Sequence, residues 1–231
     1  MFVVLVMFLF LIYHACIMNV YQNPSRLDLS SAPASAPSSA PAMAPVKARG
    51  RGVGSNASGR FEAFRRSGFE DGWQREEDDL PVLKTHVTEE VARSIIARNT
   101  SPDISFDRSI NPYRGCEHGC SYCYARPSHA YLGLSAGLDF ESRLFAKTNA
   151  VELLQKQLGA KGYEAATIAL GSNTDPYQPV ERRYRLTRDI LKVLSDCNHP
   201  VGIVTKSALV TRDIDILKPM AEKGLVKVAL S

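Results

Sequence analysis

Between residues 104 and 230 the sequence alternates between short apolar runs and amphipathic stretches, and this alternation constrains the fold most strongly. The apolar runs predict strands at residues 104–110, 165–170, 201–205 and 225–230. The amphipathic stretches predict helices at residues 150–160, 186–197 and 213–223. Strands that alternate with helices predict a parallel sheet with right-handed crossovers. The fold class predicted from this order is α/β.

Single residues near the predicted helices indicate where those helices begin and end. Asn149 precedes the first of these helices and is a plausible N-cap. Gly224 follows the last helix, where a glycine commonly ends a helix. Cys197 falls on the apolar stripe of the middle helix, which favours a core residue over a metal ligand. Ahead of the sheet, residues 88–98 predict a short helix.

Polar or ligating residues follow every predicted strand at its carboxyl end. The four groups are Cys116–Cys123, Gly171–Asp175, Thr205–Ser207 and Ser231. A single polar loop would mean little, because loops are generally polar. The carboxyl ends of parallel strands, however, meet at one edge of a sheet, where ligands bind in α/β folds. Four groups at one edge therefore predict a binding site.

The first group contains Cys116, Cys120 and Cys123, spaced so that one loop can offer three thiolates to a metal cluster. Four thiolates would close a [4Fe–4S] cluster, whereas three leave one iron open to bind another molecule. A Cys3His zinc site is an alternative, with His118 as the nearest fourth ligand. Because His118 lies between the cysteines, a tight loop can hardly turn its side chain toward the metal. Structural thiols without a metal are the third interpretation.

The spacing of these cysteines, with Tyr122 before the third, resembles the signature of the radical SAM superfamily. The stretches 111–120, 174–181 and 205–213 further resemble bacterial members related to spore photoproduct lyase. This resemblance implies a partial (βα)6-type barrel, of which about four βα units are present here. We therefore expect the chain to be a fragment, truncated at its C-terminus.

The resemblance implies an enzyme that binds a [4Fe–4S] cluster and S-adenosylmethionine (SAM). Reductive cleavage of SAM would yield a 5′-deoxyadenosyl radical that abstracts hydrogen from a substrate. Most members of this subgroup have no assigned substrate, and only the analogy with the lyase suggests nucleic acid and a lyase-like reaction. A reductase or a protein of the flavodoxin or ferredoxin type would supply the electron. A non-catalytic iron–sulfur or zinc-binding module and an inactive fragment are the alternatives.

The same resemblance places SAM-binding residues in the loop after the second strand. Ser172 and Asn173 stand where many relatives carry Gly-Gly-Glu, and they would meet the methionine amine. Asp175 would either supply a carboxylate or cap the turn before Pro176.

Three further residues complete the implied cofactor site. The backbone near Tyr122 would meet the adenine, and Ser231 would lie near the ribose. Lys206 would bind the cofactor carboxylate or a substrate anion, with an ion pair at the sheet edge as the alternative. His118 would either tune the cluster by hydrogen bonding to sulfide or be an exposed loop residue.

The N-terminal part of the chain has a different character. Residues 1–20 are almost wholly apolar and near the length of a membrane span. A signal peptide begins with positive charge, but no Lys or Arg precedes Arg26. We interpret them as an artefactual start, with a membrane anchor as the alternative. Residues 21–80 predict a disordered Ala/Pro/Ser-rich and basic leader. Its run Lys47–Asn56 would contact nucleic acid or form a solvated tail, and residues 81–231 would form the radical SAM domain.

Charge and cysteine usage limit the expected binding partners and the expected cellular compartment. The net charge of +4 is mild and allows an anionic partner without requiring one. Cys16 and Cys197 stand apart from the cysteine motif, so the chain carries no disulfide framework. A reducing compartment and an oxygen-sensitive cluster together predict a cytoplasmic protein without a membrane partner. If residues 1–20 are an anchor, the domain would still face the cytoplasm.

Overall fold

The computed structural model describes residues 50–57 and 83–231. The apolar segment 1–20 and most of the leader lie outside the described residues. Within the described part of the chain, no helix is long and apolar enough to cross a membrane.

The described residues form eight strands and five α-helices. The strands are β1 (His86–Glu90), β2 (Ile96–Arg98), β3 (Arg108–Ile110), β4 (Tyr113–Arg114), β5 (Arg143–Lys147), β6 (Ile168–Leu170), β7 (Val201–Thr205) and β8 (Val226–Leu230). The helices are α1 (Leu138–Ser142), α2 (Ala150–Leu158), α3 (Glu181–Tyr184), α4 (Leu186–Asp196) and α5 (Ile214–Glu222). Two 3₁₀ helices cover Arg126–Leu132 and Ala208–Asp213.

The larger sheet has the strand order β2-β3-β6-β7-β8. Strands β3, β6, β7 and β8 are parallel, and β2 runs antiparallel to β3 at one edge. The four strands predicted from the apolar runs are therefore present in parallel register, so the predicted α/β class is confirmed. Strands β3 and β6 are shorter than predicted, because only the last three residues of each apolar run join the ladder.

The core lies between this sheet and the inner faces of α2, α4 and α5. Leu154 of α2 and Ile190 and Leu194 of α4 are fully buried and belong to one cluster with Ile168 and Leu170 of the sheet. Burying such a side chain stabilises the fold by about 1.5–3 kcal/mol. The apolar stripes predicted from the sequence therefore face the core.

The predicted helix at residues 88–98 is wrong, because this region forms β1 and β2. Strand β1 pairs in parallel with β5, and β4 pairs antiparallel with β5, which makes a second sheet of three strands. The β-branched Val87 and Thr88 suit a strand. Their pairing partners, Leu144 and Phe145, lie far along the chain and leave no local signal.

The structure also tests three predictions for helix ends. Gly224 has a φ of +69°, which confirms it as the glycine that ends α5. Asn149 occupies the N-cap position of α2 without a side-chain cap, since its amide bonds both backbone groups of Ala92 instead. The core assignment of Cys197 is wrong, because α4 ends at Asp196 and the next residue is exposed.

Residues 50–57, which we call the strap, depart from the prediction of a disordered leader and solvated tail. They pack against the segment that follows the cysteines. Asn56 is buried, and its side chain pairs with Asp139 through Nδ2 to Oδ1 at 2.8 Å. Leu138 also donates its backbone N–H to Ser55 O at 3.2 Å.

Candidate functional site

The cysteine loop, residues 115–124, begins directly after β4 and depends on two glycines. Gly115 and Gly119 have φ angles of +75° and +62°, which glycine adopts without steric cost. A Cβ on Gly115 would lie 2.9 Å from both His129 Cε1 and Phe140 O. The loop therefore turns tightly where a side chain would not fit.

Two of the three thiols are desolvated by burial, and nearby backbone N–H groups offset this only in part. Cys116 is buried, and Cys120 and Cys123 are half-buried. Burial raises the pKa of the Cys116 thiol to about 12, while the backbone N–H groups of Asp175 and His118 act to lower it. Burial also raises the pKa of the Cys123 thiol, against the N–H of Ala125. Such N–H groups stabilise a thiolate, which is the form that binds metal.

The donor set fits an iron–sulfur cluster in its chemistry. Three thiols lie on one loop, and backbone N–H groups near two of them lower the pKa of those thiols against the effect of burial, which favours cluster ligation. Across residues 50–57 and 83–231, no group of three or more His, Cys, Asp or Glu side chains is arranged as a ready-made metal centre. The assignment therefore rests on the donor chemistry and on the place of the loop in the fold.

Asp175 joins three of the loops at the sheet edge. Its carboxylate accepts hydrogen bonds from the Thr205 hydroxyl at 2.6 Å and from the backbone N–H groups of Lys206 at 2.7 Å and Tyr177 at 2.8 Å. Burial alone would raise the pKa of Asp175, but the neighbouring His118 and these donors hold it below its ordinary value. The bond from Tyr177 caps the local turn. Because protein groups already occupy both oxygens, the geometry favours the turn-cap interpretation over a free carboxylate.

Of the two alternatives for His118, the exposed loop residue does not agree with the structure. Its side chain is 23% exposed, and Nε2 lies 3.3 Å from Asp175 Oδ2. This is an ion-pair distance, although the ring is not aligned for a hydrogen bond. The contact turns His118 toward the loop after β6.

Lys206 brings together residues from three chain segments. Its ammonium donates to Tyr122 Oη at 2.9 Å and to Ser231 Oγ at 3.2 Å. The same nitrogen lies 5.2 Å from the centre of the Tyr122 ring. The bond to Tyr122 raises the pKa of Lys206. Among the described residues the ammonium contacts hydroxyls, and no edge ion pair of Lys206 with a carboxylate is present there.

Asn111 and Tyr124 shape the loop that holds Ser172 and Asn173. Asn111 donates through Nδ2 to Ser172 Oγ at 3.1 Å and accepts from the Asn173 N–H at 3.0 Å. The Tyr124 hydroxyl donates to the carbonyl of Ser172. Both predicted residues are half-buried beside the cysteine loop. Sequence reasoning missed Asn111 and Tyr124, although Asn111 begins the stretch 111–120 and Tyr124 directly follows the third cysteine.

Gln178 is a second residue that sequence reasoning missed. It is fully buried, donates through Nε2 to Gly115 O at 3.1 Å and accepts from the Glu117 N–H at 2.9 Å. The cysteine loop is therefore attached to the loop after β6 along its first residues. The only signal for this role was the position of Gln178 within the stretch 174–181.

Comparison with known proteins agrees with the position of this site. A family model described as the Radical SAM superfamily matches residues 110–231, which is more than half of the chain. The match begins at the end of β3 and includes all three cysteines of the loop. No solved structure matches the chain.

Three relatives illustrate the sequence similarity. An uncharacterized protein of Mycobacterium tuberculosis is 41% identical over 128 residues, which cover 55% of this chain and 38% of the relative. An uncharacterized protein of Methanocaldococcus jannaschii is 37% identical over 118 residues, which cover 50% and 42% of the two chains. ORF301 of Acidianus two-tailed virus is 26% identical over 133 residues, covering 56% and 44%. The chain spans less than half the length of these relatives.

Proposed function

The chain belongs to the radical SAM superfamily, and from this premise we propose that it binds a [4Fe–4S] cluster and SAM for radical chemistry. Cys116, Cys120 and Cys123 would hold the cluster and leave one iron free of protein ligands. The observation that carries the proposal is the convergence of this loop with Asp175 and Lys206 at the carboxyl ends of parallel strands.

Bound together, the reduced cluster and SAM supply a 5′-deoxyadenosyl radical that abstracts hydrogen from a substrate. The protein provides binding and orientation. The N–H groups of Asp175 and His118 would stabilise negative charge on the Cys116 thiolate. Asn111 holds Ser172 and Asn173 in a fixed loop, where their oxygens could accept hydrogen bonds from the methionine amine.

Lys206 supplies a cation to this site. Its ammonium lies between Tyr122 and Ser231, next to the cysteine loop. A carboxylate of SAM would gain a charge-assisted hydrogen bond there. Tyr122 and Ser231 would then lie near the adenosine part of the same molecule.

The finer features of the proposal rest on the quoted motifs. The four parallel strands support the beginning of a (βα)6-type barrel. Similarity of the motifs to proteins related to spore photoproduct lyase supports a nucleic-acid substrate and a lyase-like reaction. The electron would come from a reductase or from a flavodoxin-type or ferredoxin-type protein, which supports a cytoplasmic site of action.

A zinc site has less support than an iron–sulfur cluster. The only histidine of the cysteine loop, His118, has its Nε2 3.3 Å from the Asp175 carboxylate. A Cys3His site built from the cysteine loop alone would take that ring as its fourth ligand.

Metal analysis and spectroscopy test the proposal. Anaerobic reconstitution with iron and sulfide should give about four irons and about four sulfides per chain. Addition of SAM should change the electron paramagnetic resonance spectrum of the reduced cluster, because SAM would bind the open iron. Zinc at about one per chain with no iron uptake would contradict the proposal.

Replacement of Lys206 by alanine should weaken SAM binding. The reconstituted Lys206→Ala protein loses the charged partner of the SAM carboxylate, so its Kd for SAM should rise about tenfold. Equilibrium dialysis with labelled SAM measures this change. Lys218→Ala, at an exposed position on α5, is the matched control and should bind as the wild type does. An unchanged Kd in Lys206→Ala would contradict a contact between Lys206 and the SAM carboxylate.

A further inference from the structure

A single buried carboxylate joins the strap to the cysteine loop. Glu141 is fully buried and accepts hydrogen bonds from the strap N–H groups of Arg51 at 2.6 Å and Gly52 at 3.2 Å. It also accepts from Arg126 Nη2 at 2.5 Å. A buried carboxylate is costly to leave unpaired, so these donors are held together.

Arg126 carries this linkage into the cysteine loop. Its guanidinium donates to Gly119 O at 2.7 Å and to Cys120 O at 2.9 Å. These carbonyls belong to the turn between the first and second cysteines. Glu141 therefore orients the guanidinium that holds the backbone of this turn.

The strap backbone also lies directly against the cysteine loop, and the contact leaves no room for a side chain on either glycine. A Cβ on Gly52 would overlap with the carbonyl oxygen of Gly119, and a Cβ on Gly119 would lie 2.6 Å from Arg51 Cβ. The Arg51 guanidinium reaches Thr85 Oγ1 at 2.8 Å and lies 3.7 Å from Glu117 Oε1. The glycine-rich basic run thus has a contact role at the site.

From these contacts we propose that the strap and Glu141 form a clamp that positions the cysteine loop for cluster binding. Glu141 acts as a positioning residue through Arg126, and Gly52 allows the strap backbone to lie directly on the loop. The identity of the bound cluster rests on the proposed function. The restraint on the loop is a property of the protein itself and can be measured without a cluster.

The first test measures opening of the loop in the full chain without metal. Gly52→Ala should displace the strap, and anaerobic alkylation of Cys116 by iodoacetamide should become about tenfold faster. Gly54→Ala is the matched control in the same segment, because a Cβ there meets nothing within 4 Å. Mass spectrometry reports each cysteine separately, and the exposed Cys197 provides an internal reference. Its rate should be equal in all proteins.

The second test measures retention of the cluster. After reconstitution, Gly52→Ala and Glu141→Gln should release iron to a chelator about tenfold faster than the wild type and Gly54→Ala. Because Gly52 lies outside the core, Gly52→Ala should keep a folded domain, and thermal unfolding of the metal-free proteins checks this. Cys116 alkylation in Gly52→Ala at the wild-type rate would overturn the clamp. If the wild type takes up no iron, the proposed function fails while the alkylation rates still decide the clamp.

Discussion

Replacement of Cys116 by alanine is expected to abolish cluster binding and, with it, reductive cleavage of SAM. Iron content should fall from about four per chain to less than about one, because two thiolates cannot hold the cluster in place of three. Changes outside the ligand shell of metal sites already cost about 10–100-fold. Loss of a ligand should therefore reduce SAM cleavage by more than about 100-fold.

The same result is expected for Cys120→Ala and Cys123→Ala. The chain offers its own control in Cys197, which is exposed and lies one residue beyond the end of α4. Cys197→Ala should keep full iron content and activity. Iron and sulfide analysis of the four anaerobically reconstituted variants makes the comparison. Full iron content in Cys116→Ala would contradict the ligand assignment.

The largest effect on stability is expected at Asp213. This fully buried carboxylate accepts from Arg188 Nη1 at 2.7 Å and from Arg212 Nε at 2.8 Å. Asp213→Asn leaves both arginines without this partner, although each keeps a second carboxylate in Asp215 or Glu181. The free energy of unfolding should therefore fall by about 3 kcal/mol, the lower end for a broken buried pair. Urea denaturation near neutral pH measures it.

The pH dependence of this loss follows from the pKa of Asp213. Burial alone would raise that pKa, but hydrogen bonds from Arg212 and Arg188 lower it below its ordinary value. The ionised group therefore stabilises the fold above the unfolded pKa of about 3.9. This contribution is lost as the pH falls through the lower folded value.

The difference between wild type and Asp213→Asn should accordingly be full near neutral pH and narrow toward about pH 3. Asp189→Asn removes an exposed partner of Lys192 and is the control, with an expected change below about 1 kcal/mol. A gap between wild type and Asp213→Asn that stays constant down to about pH 3 would show that charge pairing is not its cause.

Local patterns predicted the parts of the fold whose stabilisation is also local. Strand β7 and helix α4 carry a clear periodicity, and both were found within one residue of their predicted bounds. Strand β1 was missed because its pairing with β5 is a contact between distant segments. Asn149 was read as a cap, yet its amide bonds Ala92 in the loop after β1. Such partners exist only in the folded chain.

The candidate site, like the fold, was predicted only in part from the sequence. Its residue types and its place at the strand ends followed from the motifs, and the structure brings Tyr122, Lys206 and Ser231 into contact. The residues that support these groups were missed. Gln178 and Glu141 act only through segments that are remote in sequence, so no spacing rule indicates them. The basic, glycine-rich composition of the strap predicts a nucleic-acid contact or a solvated tail and gives no indication of packing against Asp139.

Release of 5′-deoxyadenosine tests the central claim most directly. The anaerobically reconstituted protein is reduced with dithionite in the presence of SAM, and the products are separated by liquid chromatography. The proposed function predicts that 5′-deoxyadenosine and methionine form only with both reductant and cluster, and that Cys116→Ala forms neither. A fully iron-loaded and reduced wild-type protein that leaves SAM intact would contradict it.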